Sequence, residues 1–214
     1  MNHRDFILGH TELIAPPACP ELRFHLASEV TPLWQATEDY LAKRNVDPPY
    51  WAFPWVGGQA LARHVLDNPD LVSGKRILDF AAGCGIVAVA CAKAGATSVD
   101  AAEIDPMAVA AIDLNAAANQ VAVSAATGNV LESESCPWDV IFAGDVCYER
   151  PMAEAVFAWL RRRAAQGAQV MLADPGRAYL PKTGLMRVAQ LTIECSADLE
   201  DRSHREVGIY QVVG

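Results

Sequence analysis

Arg76-Ile77-Leu78-Asp79-Phe80-Ala81-Ala82-Gly83-Cys84-Gly85, followed by the apolar run Ile86 to Ala94, is the stretch that decides the fold. Residues 76–80 have the length and apolar content of a short strand. Small residues then make a turn, and the run after it suits a helix. That order of strand, glycine-bearing turn and helix opens an α/β sheet, in which ligands sit beyond the carboxyl ends of the strands. The alternation continues outward from this unit. Ser98-Val99-Asp100-Ala101-Ala102 reads as the next strand and ends on Glu103-Ile104-Asp105. Pro106 stands where its fixed φ suits a first helical turn, and that helix is expected to reach about Asn119, burying Val109, Ile112 and Leu114. Further strands are expected at Val121 to Ala125, Asp139 to Ala143 and Gln169 to Ala173, with a helix over Met152 to Arg163.

Near the carboxyl end the pattern changes. Val188 to Cys195 and Val207 to Val213 read as strands separated by the charged stretch Asp198 to Arg205. Strands without a helix between them pair antiparallel. The expected architecture is an α/β, Rossmann-like seven-stranded sheet, mostly parallel, with helices on both faces and an antiparallel C-terminal hairpin. Upstream, Gly57 to Leu66 suits a helix with Leu61, Val65 and Leu66 on one face, and another is expected over Pro32 to Arg44. Prolines recur before residue 50 (Pro16, Pro17, Pro20, Pro32, Pro48, Pro49), so residues 1–50 are read as an N-terminal lobe packed on a core of residues 51–214.

Composition narrows the function. With 214 residues, 52% hydrophobic and 20% charged, the chain suits one buried α/β domain. The longest apolar run is too short to cross a bilayer, and no secretory leader is visible, so a cytoplasmic location without a membrane partner is expected. Six cysteines include no C-x-x-C pair and no His at ligand spacing, which reads as free thiols and no metal. The net charge is −9 and the one basic triplet, Arg161-Arg162-Arg163, suits a helix C-terminus. A nucleic-acid partner is therefore not expected.

The candidate ligand residues lie at the strand ends. Ala81, Gly83 and Gly85 let backbone approach a ligand, but Ala88 stands where a dinucleotide fingerprint needs its third glycine. Asp79 at the strand end would repel a pyrophosphate. It suits a cation, and S-adenosylmethionine carries both a sulfonium and an α-ammonium. Glu103, about one βα unit later, is placed to accept ribose hydroxyls. Asn129 and Val130 follow the third strand, where an amide can reach an adenine edge and an aliphatic side chain its face.

These residues, with Gly144-Asp145-Val146-Cys147-Tyr148-Glu149, resemble the seven-β-strand methyltransferases, and within them the protein lysine methyltransferases marked by a D-x-x-Y segment after the fourth strand. The stretch from Pro49 to Leu61 and the later Asp174-Pro175-Gly176-Arg177-Ala178-Tyr179-Leu180-Pro181 are most similar to the group acting on the β subunit of electron transfer flavoprotein. The resemblance implies S-adenosylmethionine as cofactor, S-adenosylhomocysteine as product, and that flavoprotein subunit as partner, with residues 51–214 as the methyltransferase domain. It also implies cofactor contacts for Trp55 and Gly144. Another protein such as a ribosomal one, an RNA or a small molecule is the alternative acceptor. The group's usual first glycine is Ala81 here, a change expected to cost little provided φ stays negative. Trp51 suits either packing or a substrate contact.

Asp145 and Tyr148 are the residues expected at the reacting amine. A lysine of pKa near 10.4 costs on the order of 4–5 kcal/mol to neutralise at pH 7. A lone carboxylate nearby raises that pKa, so Asp145 is expected to hold and orient the amine. Burial against Tyr148, Trp51 or Phe53 and the sulfonium charge are expected to drive the proton off.

Overall fold

The computed structural model describes residues 2–28, 49–196 and 200–214. Its main sheet has seven strands in the order β5-β4-β3-β6-β7-β9-β8. These are β3 (Arg76–Phe80), β4 (Ser98–Glu103), β5 (Ser124–Thr127), β6 (Val140–Gly144), β7 (Gln169–Asp174), β8 (Leu185–Glu194) and β9 (His204–Val212). The first five run parallel, and β9 pairs antiparallel with both β7 and β8. The mostly parallel sheet with its antiparallel end is the one read from the sequence.

Period-two alternation in the central strands separates two cores. Ile77, Phe142 and Met171 join one core, beneath helices α2 (Val56–Asp67) and α3 (Ile86–Lys93). Leu78, Ile141 and Leu172 face the other side, covered by Val156, Trp159 and Leu160 of α5 (Arg150–Ala165). Each central strand is thus buried on both faces, as parallel strands require. α4 (Pro106–Ala118) starts at the predicted proline, with Asp105 capping it by accepting from Met107 N at 2.7 Å.

Several boundaries differ from expectation. The third strand begins at Ser124 instead of Val121, because Val121 N returns to Ala116 O and helps to close α4, with Gln120 at φ +58°. Val109 is half-buried, and Ala108, Ala111, Ile112 and Leu114 form the covered face of α4. α5 starts two residues early, at Arg150, and Arg162 and Arg163 do lie in its last turn. Leu61 and Val65 of α2 are buried, while Leu66 is only partly so.

Before the sheet, α1 (His3–His10) leads into a pair of three-residue strands, β1 (Glu12–Ile14) and β2 (Phe24–Leu26). These elements had no sequence prediction. Two asparagines of the α4 segment hold them: Asn115 Oδ1 accepts from His25 N at 2.7 Å and Asn119 Oδ1 from Arg23 N at 3.0 Å. The helix expected over Pro32 to Arg44 lies outside the described residues, as does part of the charged stretch Asp198 to Arg205. No described helix is long and apolar enough to cross a membrane. All six cysteines are free.

Candidate active site

A cavity of about 910 Å³ opens at the carboxyl ends of β3, β4 and β6. The strand order turns about β3, since β4 and β5 lie to one side and β6 and β7 to the other, and such a crevice is where open α/β sheets take ligands. Trp55, Asp79, Ala81, Gly83, Glu103, Asn129, Val130, Gly144, Asp145 and Tyr148 all line it. Gly85 does not. Its φ is +76° and a Cβ there would come within 3.0 Å of Ile112 on α4, so its smallness serves helix packing as well as turn geometry.

Three left-handed residues shape the turn after β3: Ala81 at φ +52°, Gly83 at +55° and Gly85 at +76°. The condition under which alanine at 81 costs little is therefore not met, because a Cβ in this region is strained by about 1–2 kcal/mol. Gly83 faces open space, its nearest neighbour to a built Cβ being Tyr50 O at 4.0 Å. Gly83 N donates to Glu103 Oε1 at 2.6 Å, and Ile104 N donates to Glu103 Oε2 at 3.1 Å. The carboxylate thus bridges the ends of β3 and β4. Asp79 is buried and accepts from Ala88 N at 2.9 Å, on the first turns of α3. Burial pushes its carboxyl up to about 7, against the pull of that amide, and the charge of Glu103 adds to the rise. The side chain of Asn129 is turned to its own 3-10 turn (Val130–Glu132), accepting from Leu131 N and donating to Glu132.

The other half of the cavity is aromatic and ionic. Tyr50 lies with its ring centroid 6.0 Å from those of both Trp55 and Tyr148, and Trp55 Nε1 donates to Tyr50 O at 2.9 Å. Tyr148 is 45% exposed at the mouth, and burial of its inner part, with the charges of Tyr50 and Glu149, raises its pKa. Trp51 and Phe53 also line the cavity while packing among Ile7, Ala108 and Leu114, so Trp51 serves the core and remains at the cavity wall.

Asp145 has φ +57°, which Asp tolerates better than most residues, and is nearly buried. Its Oδ2 accepts from Gly57 N and Gly58 N at 2.5 and 3.2 Å, and its Oδ1 from Arg177. Burial raises its carboxyl to about 6, with Arg177 opposing. Gly57 at the start of α2 and Gly144 at the end of β6 are needed for this contact. A Cβ on Gly57 would meet Asp145 Oδ2 at 2.5 Å, and one on Gly144 would meet Gly58 N at 2.8 Å.

Arg177 is the residue that sequence reading missed. It belongs to the segment after β7, where the sequence alone gives it no role, and only the sheet order, which sets β7 beside β6, brings it to Asp145. The available signal was that adjacent parallel strands end side by side, so their following loops share one crevice.

The profile of the family described as "Ribosomal protein L11 methyltransferase (PrmA)" matches residues 60–146. Among solved structures, a Thermoplasma acidophilum protein superposes with a TM-score of 0.56 at 19% identity, covering 73% of this chain and 88% of that one. The magnesium protoporphyrin IX methyltransferase of Synechocystis, solved with bound SAH, does so with a TM-score of 0.54 at 13% identity, covering 84% and 90%. At these identities the likeness shows the fold. Two curated sequences go further. The electron transfer flavoprotein β-subunit lysine methyltransferase of Xenopus laevis is 38% identical over 189 residues, which is 87% of this chain and 76% of the relative. The Danio rerio protein of the same name is 35% identical over 187 residues, 86% and 71%. Similarity of that extent, over more than four fifths of this chain and more than two thirds of each relative, places this chain in the electron transfer flavoprotein β-subunit lysine methyltransferase family.

Proposed function

We propose that this chain transfers the methyl group of S-adenosylmethionine to lysine side chains of the β subunit of electron transfer flavoprotein. The observation that carries the proposal is the division of one cavity into two halves. The strand-end turn with Asp79 and Glu103 forms one, and the aromatic and ionic wall of Tyr50, Trp55, Tyr148 and Asp145 forms the other.

The first half fits the cofactor. The cavity that it shares with the acceptor side is of the size that holds a drug-sized ligand. Gly83 leaves open the space that a Cβ would fill, and the two acids of this half suit a ligand bearing cationic groups. Glu103 is the residue for the ribose hydroxyls, Val130 for the adenine face, and Asn129 for its edge once its cap to Leu131 is exchanged. Trp55 and Gly144 border the space between the two halves. When bound, S-adenosylmethionine supplies an electrophilic methyl on a sulfonium, a leaving group that needs no protonation.

The chain's own task is then to place a neutral amine in line with that methyl and to keep bulk water out. Tyr148 and Tyr50 flank the mouth, where their faces attract an arriving ammonium. Tyr148 keeps its hydroxyl proton at neutral pH, and its hydroxyl oxygen can accept an N–H of the amine, leaving the nitrogen lone pair free to attack. Asp145 fixes the start of α2 against β6 and so sets the width of the acceptor side.

Incubation with purified flavoprotein β subunit and cofactor, followed by intact-mass analysis, is expected to show steps of one methyl on that subunit. An unchanged mass, with cofactor binding confirmed by calorimetry, would overturn the acceptor assignment. The PrmA profile match makes ribosomal protein L11 the second acceptor for the same assay.

A further inference from the structure

Asp145 has no acceptor position to spare. Oδ2 takes the N–H groups of Gly57 and Gly58, and Oδ1 takes Nε and Nη2 of Arg177 at 3.3 and 2.9 Å. Four donors fill about four lone-pair sites of a carboxylate. An ammonium entering the cavity can bond to Asp145 only by displacing one of them, which strands a partly buried donor.

Arg177 is held from several directions. Its Nη2 also donates to Glu200 at 2.8 Å, and the other oxygen of Glu200 takes Nε of Arg205 at 3.2 Å. Its backbone N–H donates to Asp174 Oδ1 at 2.6 Å. The charged and titratable groups around it are Asp145, Cys147 and Tyr148 after β6, Asp174 at the end of β7, and Glu200 before β9, with Arg205 of β9 behind Glu200. Thus fixed, Arg177 still lines the cavity with Tyr148.

A bare carboxylate beside a lysine amine holds its proton on. A carboxylate bonded to a guanidinium presents a balanced pair instead. We propose that Arg177 is a positioning residue that neutralises Asp145, so that a lysine entering beside Tyr148 meets a charge-balanced wall and releases its proton to water at a lower pH than an unpaired Asp145 would permit. The proton passes from the ammonium nitrogen to solvent, and the freed electron pair stays on nitrogen to attack. This rests on the lysine methyltransferase reading above and adds to it the device that makes the amine reactive.

The test is the pH dependence of the single-turnover methyl-transfer rate at saturating cofactor and flavoprotein β subunit, which reports ionisations in the bound complex, with cofactor affinity followed separately by calorimetry. In Arg177→Gln the midpoint of the rising limb is expected to move up by about one pH unit or more. The loss is then roughly tenfold on the part of the rising limb where the unpaired Asp145 is ionised, and it shrinks toward pH 10. Arg177→Lys keeps the charge and is expected to keep the wild-type midpoint at reduced activity. Asp145→Asn leaves Arg177 only Glu200, which it shares with Arg205, so the wall gains a net positive charge and the midpoint is expected to move down. Equal loss for Arg177→Gln at every pH, or an unmoved midpoint, would overturn the inference. Should Arg177→Gln fail to fold, an upward move in Asp145→Asn would overturn it as well. Absence of transfer by the wild-type chain overturns the functional reading and this inference with it, whereas transfer with unmoved variant midpoints overturns this inference alone.

Discussion

Ala81 is a side chain in a position that favours none. At φ +52° its Cβ crowds the following carbonyl, yet it lines the cavity directly after Asp79 and Phe80. Replacing it by glycine relieves this strain and concedes some unfolded-state entropy, the first effect being the larger. Ala81→Gly is therefore expected to stabilise the chain by about 0.5–1 kcal/mol, read from urea midpoints at constant m-value. A loss of stability would mean that the methyl group packs better than its φ suggests. The turn's small residues and the acid before it were legible in the sequence, because only small residues let backbone line a crevice. The sign of φ was not, since a one-letter code records size and not torsion. Gly85 shows the same limit from the other side, as its role is set in part by Ile112, twenty-seven positions on.

Elements with strong patterns were found, and elements held by single partners were not. β3, β6 and β7 carry apolar residues on both faces, and the sequence pattern marks their bounds to within a residue or so. β5 is a four-residue edge strand with mostly exposed residues, and the more apolar Val121 to Val123 drew the prediction away from it. β1 and β2 have only three residues each, too few for a period to show. What fixes them is specific. Asn115 is buried, accepting from His25 N and donating to Cys84 O at 2.9 Å, so it ties the leading segment to the turn after β3. Asn115→Ala leaves both backbone groups short of a partner and is expected to destabilise the chain by roughly 2–3 kcal/mol. Hydrogen exchange is expected to rise first at His25 and its neighbours in β2. Exchange rising uniformly across the sheet would show that the asparagine supports the whole fold instead.

For the whole molecule, placing carboxyls inside an α/β core has a cost that depends on pH. Burial lifts Asp79 to about 7 and Asp145 to about 6. The native chain therefore holds these protons to higher pH than the unfolded chain does, and unfolding free energy falls as pH rises from about 4 to about 7. Asp139, drawn down to about 2 by Arg76, acts in the opposite sense but only below pH 4. Urea midpoints are expected to be lower at pH 8 than at pH 5, and Asp79→Asn to recover on the order of 2 kcal/mol of that difference. A wild-type midpoint that does not fall between these pH values would contradict the assignment.

The sheet order also bears on how the molecule is assembled. β9 follows β8 in the chain yet lies between it and β7, so β8 touches the rest of the sheet only through β9. During synthesis β8 leaves the ribosome before the strand it pairs with. The two strands meet each other as neighbours in sequence within microseconds, and as a ready-made ribbon they then zip onto β7. Arg177 and Glu200 lie on the two pieces that this step joins. The charge pair at the cavity wall is thus among the last contacts made, and a nascent chain has its crevice before it has the arginine's second anchor.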